Sequence, residues 1–210
     1  MTMCIPLWFG FAPHGEDGYG LSPAKRASKV GAVAMVVMFI GWIIEVVAIT
    51  TKHWSEITWF GDITYGGTVV QSHGLWSYCD QRFFLFPNCR DTQGWLVAVR
   101  ALNVIGMMFG SGALVFMGLY TFLNSEKWDR IFKSSALTSA ILAGILIMIG
   151  AIVYGASINQ GKAPIPYNIV GNKYLHDFSW SFALSIIAAI FFVISGVIMG
   201  FARKPRVVTS

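Results

Sequence analysis

Four long apolar runs separated by polar stretches of unequal length dominate the chain, over residues 30–49, 96–122, 136–154 and 179–201. Each is close to the ~20 residues a helix needs to cross roughly 30 Å of hydrocarbon. None alternates with the period of two that a strand facing lipid and lumen would show, and four strands cannot close a barrel. The pattern predicts an all-α membrane protein: a four-helix transmembrane bundle, with segments 1–29, 50–95, 123–135, 155–178 and 202–210 outside it.

Between the first two runs the texture changes. Ile57-Thr58-Trp59-Phe60, Ile63-Thr64-Tyr65 and Thr68-Val69-Val70-Gln71 read as strands, with Gly66-Gly67 as a two-residue hairpin turn. Leu75 to Cys79 reads as a further strand, and Phe83-Phe84-Leu85-Phe86 before Pro87-Asn88 as a strand and turn. A small antiparallel β-sheet standing on the membrane follows. Such a sheet is too small to bury an adequate core alone. A Cys79–Cys89 disulfide would staple it, closing a loop of about ten residues worth on the order of 2–4 kcal/mol. Trp54, Leu75 and Trp76 are expected to pack the sheet on the helix ends or to sit in the headgroup zone. Gly74 is expected to let the chain bend or another backbone approach.

Composition narrows the class. Of 210 residues, 55% are hydrophobic and 12% charged, where a soluble domain carries about 25% charged residues. The formal net charge of +5 is read through topology and not as a nucleic-acid footprint. Nine basic residues crowd the helix ends of one side: Lys25, Arg26, Lys29, Lys127, Arg130, Lys133, Arg203, Lys204 and Arg206. Six are scattered over the two longer loops of the other side, so the crowded side, with both termini, is predicted to be cytosolic. The sheet and its cysteines then lie outside the cell, where a disulfide persists.

Candidate chemistry is sparse. His14, His53, His73 and His176 are dispersed over tail and loops, and no nucleophile–base spacing or phosphate loop occurs. No enzyme activity, cofactor or metal is expected. Acids Glu56, Asp62, Asp80 and Asp91 nearly balance Lys52, Arg82 and Arg90 in the first loop, a sum too balanced to single out either cations or anions. Glu45 is the one acid inside a span, about 7 Å below its outer end. An intramembrane carboxylate is usually paired, and Arg100, with Asn103 beside it, is the partner predicted for a brace between the first two helices. Phe83, Phe84, Leu85 and Phe86 are apolar residues at a water-facing tip, hence a candidate contact surface for a partner. The apolar start of the chain reads as a flexible tail or as a membrane-surface anchor lipidated at Cys4.

Trp54, Gly74-Leu75-Trp76, Cys79, Cys89 and Arg100-Ala101-Leu102 resemble, in order and spacing, the signature of the claudin superfamily, and Gly41-Trp42-Ile43-Ile44 resembles its first helix. The superfamily groups claudins, peripheral myelin proteins and calcium-channel gamma subunits; the likeness is nearest to an invertebrate-type claudin-like protein. The resemblance implies a left-handed bundle, a loop sheet completed by one strand of the second loop, and a Cys79–Cys89 disulfide. It further implies a plasma-membrane protein of cell–cell junctions that contacts the bilayer and its own kind in cis and trans, contributing to adhesion and a paracellular barrier. Three departures point elsewhere. The 89–100 segment is short, the end Val207-Val208-Thr209-Ser210 lacks a PDZ-type hydrophobic terminus, and Phe178-Ser179-Trp180-Ser181-Phe182 is similar to the fourth-helix start of channel-associated relatives. The alternative they imply is an auxiliary subunit bound to a channel or receptor pore subunit.

Overall fold

The computed structural model describes residues 29–60, 68–76, 94–123, 126–160 and 174–203. Helices α1 (Lys29–Thr50), α2 (Gly94–Phe122), α3 (Glu126–Asn159) and α4 (Trp180–Phe201) are all long and apolar enough to cross a membrane. In hydrocarbon a backbone must satisfy its own polar groups, so apolar runs of this length close into helices. α2 packs on α3, α3 on α4 and α4 on α1, and a lighter α1–α2 seam completes the ring.

Because both lipid and core are apolar, the interior is marked by size. Val33, Val36, Phe39, Ile105, Met108 and Ile152 point outward, while Ala34, Ala113, Ala140, Ala143 and Ala189 line the centre around Met38, Met117, Ile147 and Phe192. The pairs Gly106/Gly110, Ala140/Gly144 and Gly196/Gly200, four apart in sequence, serve contacts within the bundle. A Cβ at Gly144 would stand 2.8 Å from the Ala189 carbonyl oxygen of α4, and one at Gly106 2.7 Å from Ile147 of α3. Small residues at such crossings let dispersion contacts replace the hydrophobic effect, which does not act between helices in lipid.

α3 starts ten residues before the apolar run begins at 136 and ends five after it closes at 154. The early turns hold Trp128 stacked on Phe132 at 6.2 Å, and Lys133, whose Nζ donates to the Ala202 carbonyl at the end of α4 (2.7 Å). That cation meets the orphan carbonyls of a helix C-terminus, where positive charge is stabilising.

At the opposite end stands an antiparallel sheet of order β2-β1-β3, with β1 (Ser55–Phe60) central, β2 (Thr68–His73) on one side and β3 (Tyr174–Phe178) on the other. The second loop thus supplies one strand. Ser55 faces His73 and Phe178, and Ile57 faces Gln71 and His176. The stretch expected as a strand from Leu75 differs in its described part: after Gly74, Leu75 and Trp76 form a bend. Leu75 is buried against the helix ends and its carbonyl is taken by Arg100, so these two described residues join no ladder. The expected strand at Ile63-Thr64-Tyr65, the Gly66-Gly67 turn, the Phe83 to Phe86 tip, Cys4 and the Cys79–Cys89 disulfide lie outside the described residues.

Gly41 tests the close-packing account. Its Cβ would lie 2.8 Å from Phe191 Cβ, whereas one at Gly112 meets nothing within 4 Å. Gly41→Ala is expected to destabilise by about 1–3 kcal/mol and Gly112→Ala to stay within about 0.5 kcal/mol of wild type. Thermal unfolding of the purified protein in detergent reads both; equal effects would refute the packing argument.

Candidate functional site

The residues of the loop signature converge on one place, the junction between the sheet and the bundle. α1 ends at Thr50, leaving carbonyls of its last turn without helical partners. Trp54, fully buried, folds back and its Nε1 donates to the Ala48 carbonyl at 2.7 Å. Its backbone links two other elements: its N–H donates to the His73 carbonyl at the end of β2 (3.0 Å), and its carbonyl accepts from the Ser179 N–H before α4 (3.1 Å). The indole meets Tyr154 of α3 edge-on at 5.0 Å and Phe182 of α4 at 6.1 Å. One residue therefore touches α1, β2, α3 and α4.

Neighbouring bonds repeat the theme. Ser55 Oγ and Tyr154 Oη lie 2.9 Å apart, as do Ser179 Oγ and the Glu56 carboxylate that accepts from it. The Ser181 N–H donates to the His53 carbonyl at 3.0 Å, and the hydroxyls of Thr51 and Ser181 lie 2.6 Å apart. Gly74 lets β2 leave the sheet across the α1–β1 connection: a Cβ there would stand 2.6 Å from Lys52 Cα and 2.8 Å from the Thr51 carbonyl oxygen, both backbone. Arg100, on the second turn of α2, donates from Nε to the Leu75 carbonyl at 2.7 Å, and its guanidinium lies 5.6 Å from the half-exposed Trp76 ring. Trp54, Gly74, Leu75, Trp76 and Arg100 form one assembly.

The Glu45–Arg100 pair is not among its contacts. Glu45 lies on the face of α1 that packs against α4, where Ser185 Oγ donates to its Oε1 at 3.3 Å. Arg100 reaches upward to Leu75 instead, because the outer end of α2 stands under the bend after Gly74.

Among the described residues, His53, His73 and His176, scattered in sequence, gather around β1. Residues directly opposite in an antiparallel pair, and residues two apart on a strand, share a face. His73 and His176 therefore share the inward face with Ser55 and Ile57, which are buried. His53 Nδ1 lies 3.5 Å from Glu56 Oε1, and its ring stacks on Trp180 at 5.4 Å. Both ring nitrogens of His176 are buried without a hydrogen-bond partner. Burial pushes its imidazole down from the usual range, His73 pushes the same way, and Asp177 opposes them. β3, the second-loop strand that the family resemblance implies, is what carries His176 to this face. Among the described residues, no group of three His, Cys, Asp or Glu side chains is arranged to hold a metal ion. Chemically the site is a mechanical joint, with a polar face above it and apolar helices below.

The sequence model of the PMP-22/EMP/MP20/Claudin family matches residues 29–199. The match spans most of the chain, which therefore belongs to this family and is a multi-pass membrane protein. No curated protein matches it.

Two outcomes are expected of this joint. Trp54→Ala should cost about 3–5 kcal/mol by losing the aromatic packing, and Trp54→Phe less, since it removes only the indole donor and leaves the Ala48 carbonyl with the Thr51 hydroxyl at 3.2 Å; unfolding in detergent measures both. His176 gives a pH test. A lowered folded-state value means the unfolded chain binds the proton more readily. Stability is then full above the ordinary histidine range near pH 6.5, falls as pH drops through it, and flattens below the lowered folded value. His176→Gln should remove that component of the acid sensitivity; an unchanged pH profile would refute the assignment.

Proposed function

We propose that this family member acts at the plasma membrane as a claudin-like junction protein, displaying its sheet outside the cell for contacts with copies of itself or its relatives. The observation that carries this reading is the fixed mounting of the sheet. Trp54 and Tyr154 fasten its inward face to three helices, leaving Glu56, Ser72 and Asp177 on the outward face at least partly open to solvent. A surface held this way loses little freedom on docking, which favours repeated weak contacts between membranes. The crowding of nine basic residues at the other end supports the outward orientation of the sheet and cytosolic termini. The Phe83, Phe84, Leu85 and Phe86 tip is the segment proposed to make the contact, with Cys79 and Cys89 bridged behind it. No step of this role calls for catalysis or a cofactor.

A second reading rests on a different observation. Phe178 and Trp180, where β3 meets α4, are 42% and 47% exposed. Phe178 stacks on Phe182 at 4.7 Å and Trp180 on His53 at 5.4 Å, and the surface they leave open is where the transmembrane part of another protein would pack. That arrangement supports an auxiliary subunit bound to a channel or receptor pore.

Expression of the tagged protein in cells that lack junctional strands separates the two. The junction reading expects enrichment only at borders where both neighbours express it, and loss of enrichment when Phe84 and Phe86 are both replaced by Ser. Uniform surface distribution, or intracellular retention relieved by a co-expressed pore subunit, would sink it and support the auxiliary role.

A further inference from the structure

The buried faces of α1, α2 and α4 repeat every seven residues, two turns of helix or about 10.5 Å. Met38, Gly110 and Phe192 meet in the bundle core, where a Cβ at Gly110 would lie 3.0 Å from Phe192 and 3.6 Å from Met38. One heptad toward the sheet along each helix stand Glu45, Asn103 and Ser185, all fully buried. The Ser185 hydrogen bond to Glu45 and the heptad spacing put the three in one layer. On α3 the same level is Gly150, whose Cβ would lie 2.8 Å from Asn103 Nδ2.

The hydrogen bonds of this layer leave two oxygens over. Ser185 Oγ donates to Glu45 Oε1 at 3.3 Å, and Asn103 Nδ2 donates to the Val99 carbonyl at 2.9 Å. Glu45 Oε2 and Asn103 Oδ1 are both buried without a hydrogen-bond partner. Arg100, one turn from Asn103, is turned away to the Leu75 carbonyl. An uncompensated carboxylate in a low-dielectric interior is strongly disfavoured. The donor set is made of oxygens alone: one carboxylate, one amide carbonyl and one hydroxyl that keeps lone pairs free. Hard oxygens suit alkali and alkaline-earth ions, not the soft or borderline metals held by sulfur and imidazole. A single formal negative charge matches a monovalent cation, whereas calcium sites recruit several carboxylates.

We propose that Glu45, Asn103 and Ser185 form a binding site for one monovalent alkali cation, held between α1, α2 and α4 a turn and a half below the sheet. The cation neutralises Glu45, takes up the two orphan oxygens and ties the light α1–α2 seam to the α1–α4 pair. Binding to the folded state alone then makes bundle stability rise with cation concentration in a saturable way.

The test is thermal unfolding of the full-length protein in detergent, at fixed pH and ionic strength, with sodium, potassium or choline chloride. The expected result is a saturable rise of the midpoint with sodium or potassium and none with choline. Glu45→Gln should abolish the rise, and Ser185→Ala should move half-saturation up by about tenfold. Coincident curves in all three salts would overturn the proposal, as would a rise that survives in Glu45→Gln. A midpoint that responds to pH alone would overturn it too and give the neutralising role to a proton. Should Glu45→Gln fail to fold, the wild-type comparison with Ser185→Ala decides.

Discussion

The hydrogen bond from the Trp54 indole to the Ala48 carbonyl is the constraint on which the upper half of the molecule depends. A helix leaving a membrane ends in carbonyls that need donors, just where the chain must turn into a sheet. Trp54 meets both demands, filling the junction with apolar ring while supplying one donor. Its backbone then fixes the end of β2 and the start of α4 in the same few ångströms. Ser55 and Ile57 follow inward on β1, so the central strand has its buried face set by the tryptophan before it. Gly74, just after β2, is the counterpart: with a side chain there the strand could not cross the α1–β1 connection at that distance.

Lower in the bundle a different rule operates. Lipid removes the usual reason for apolar side chains to gather, so close approach and a few polar contacts carry the specificity. Gly41, Gly106 and Gly144 bring neighbouring helices close. Trp42 Nε1 donating to Ser111 Oγ at 3.0 Å bridges α1 to α2, and Ser195 Oγ donating to the Ala34 carbonyl at 2.7 Å bridges α4 to α1. Each buried polar group sits on the inward stripe, because facing hydrocarbon it would have no partner.

The same physics explains what could be read from the sequence. The four spans were legible because length and hydropathy alone define them. The joint was legible in part, since Trp54, Gly74, Leu75, Trp76 and Arg100 stand in a distinctive order with turn and aromatic signals. The strand at Tyr174–Phe178 was visible only through the family resemblance; five residues with His176 and Asp177 among them carry no alternation strong enough to declare it. The inward faces of the helices were hidden, because valine toward lipid and valine toward core look alike. Pairing Glu45 with Arg100 followed from sequence proximity to the same membrane surface. It failed because α1 turns that face toward α4, a choice made by Gly41 against Phe191, which no pairwise charge argument contains.

The exposed aromatics of the upper rim follow from these two rules together. Trp76, Phe178 and Trp180 border the joint yet remain about half exposed, while Trp54, Leu75 and Tyr154 beside them are wholly buried. Each rim residue packs within the chain on one side only, Phe178 on Phe182, Trp180 on His53 and Trp76 on Arg100. At the height where helices leave hydrocarbon, aromatic rings are favoured by the headgroup zone, and Arg100 beneath Trp76 supplies the matching cation. Such a rim serves equally to anchor the bundle at a fixed depth and to meet a neighbour laterally. Anchoring at a fixed depth is what the proposed junction role would require of the sheet, since contacts made above the membrane would depend on every copy standing at the same height.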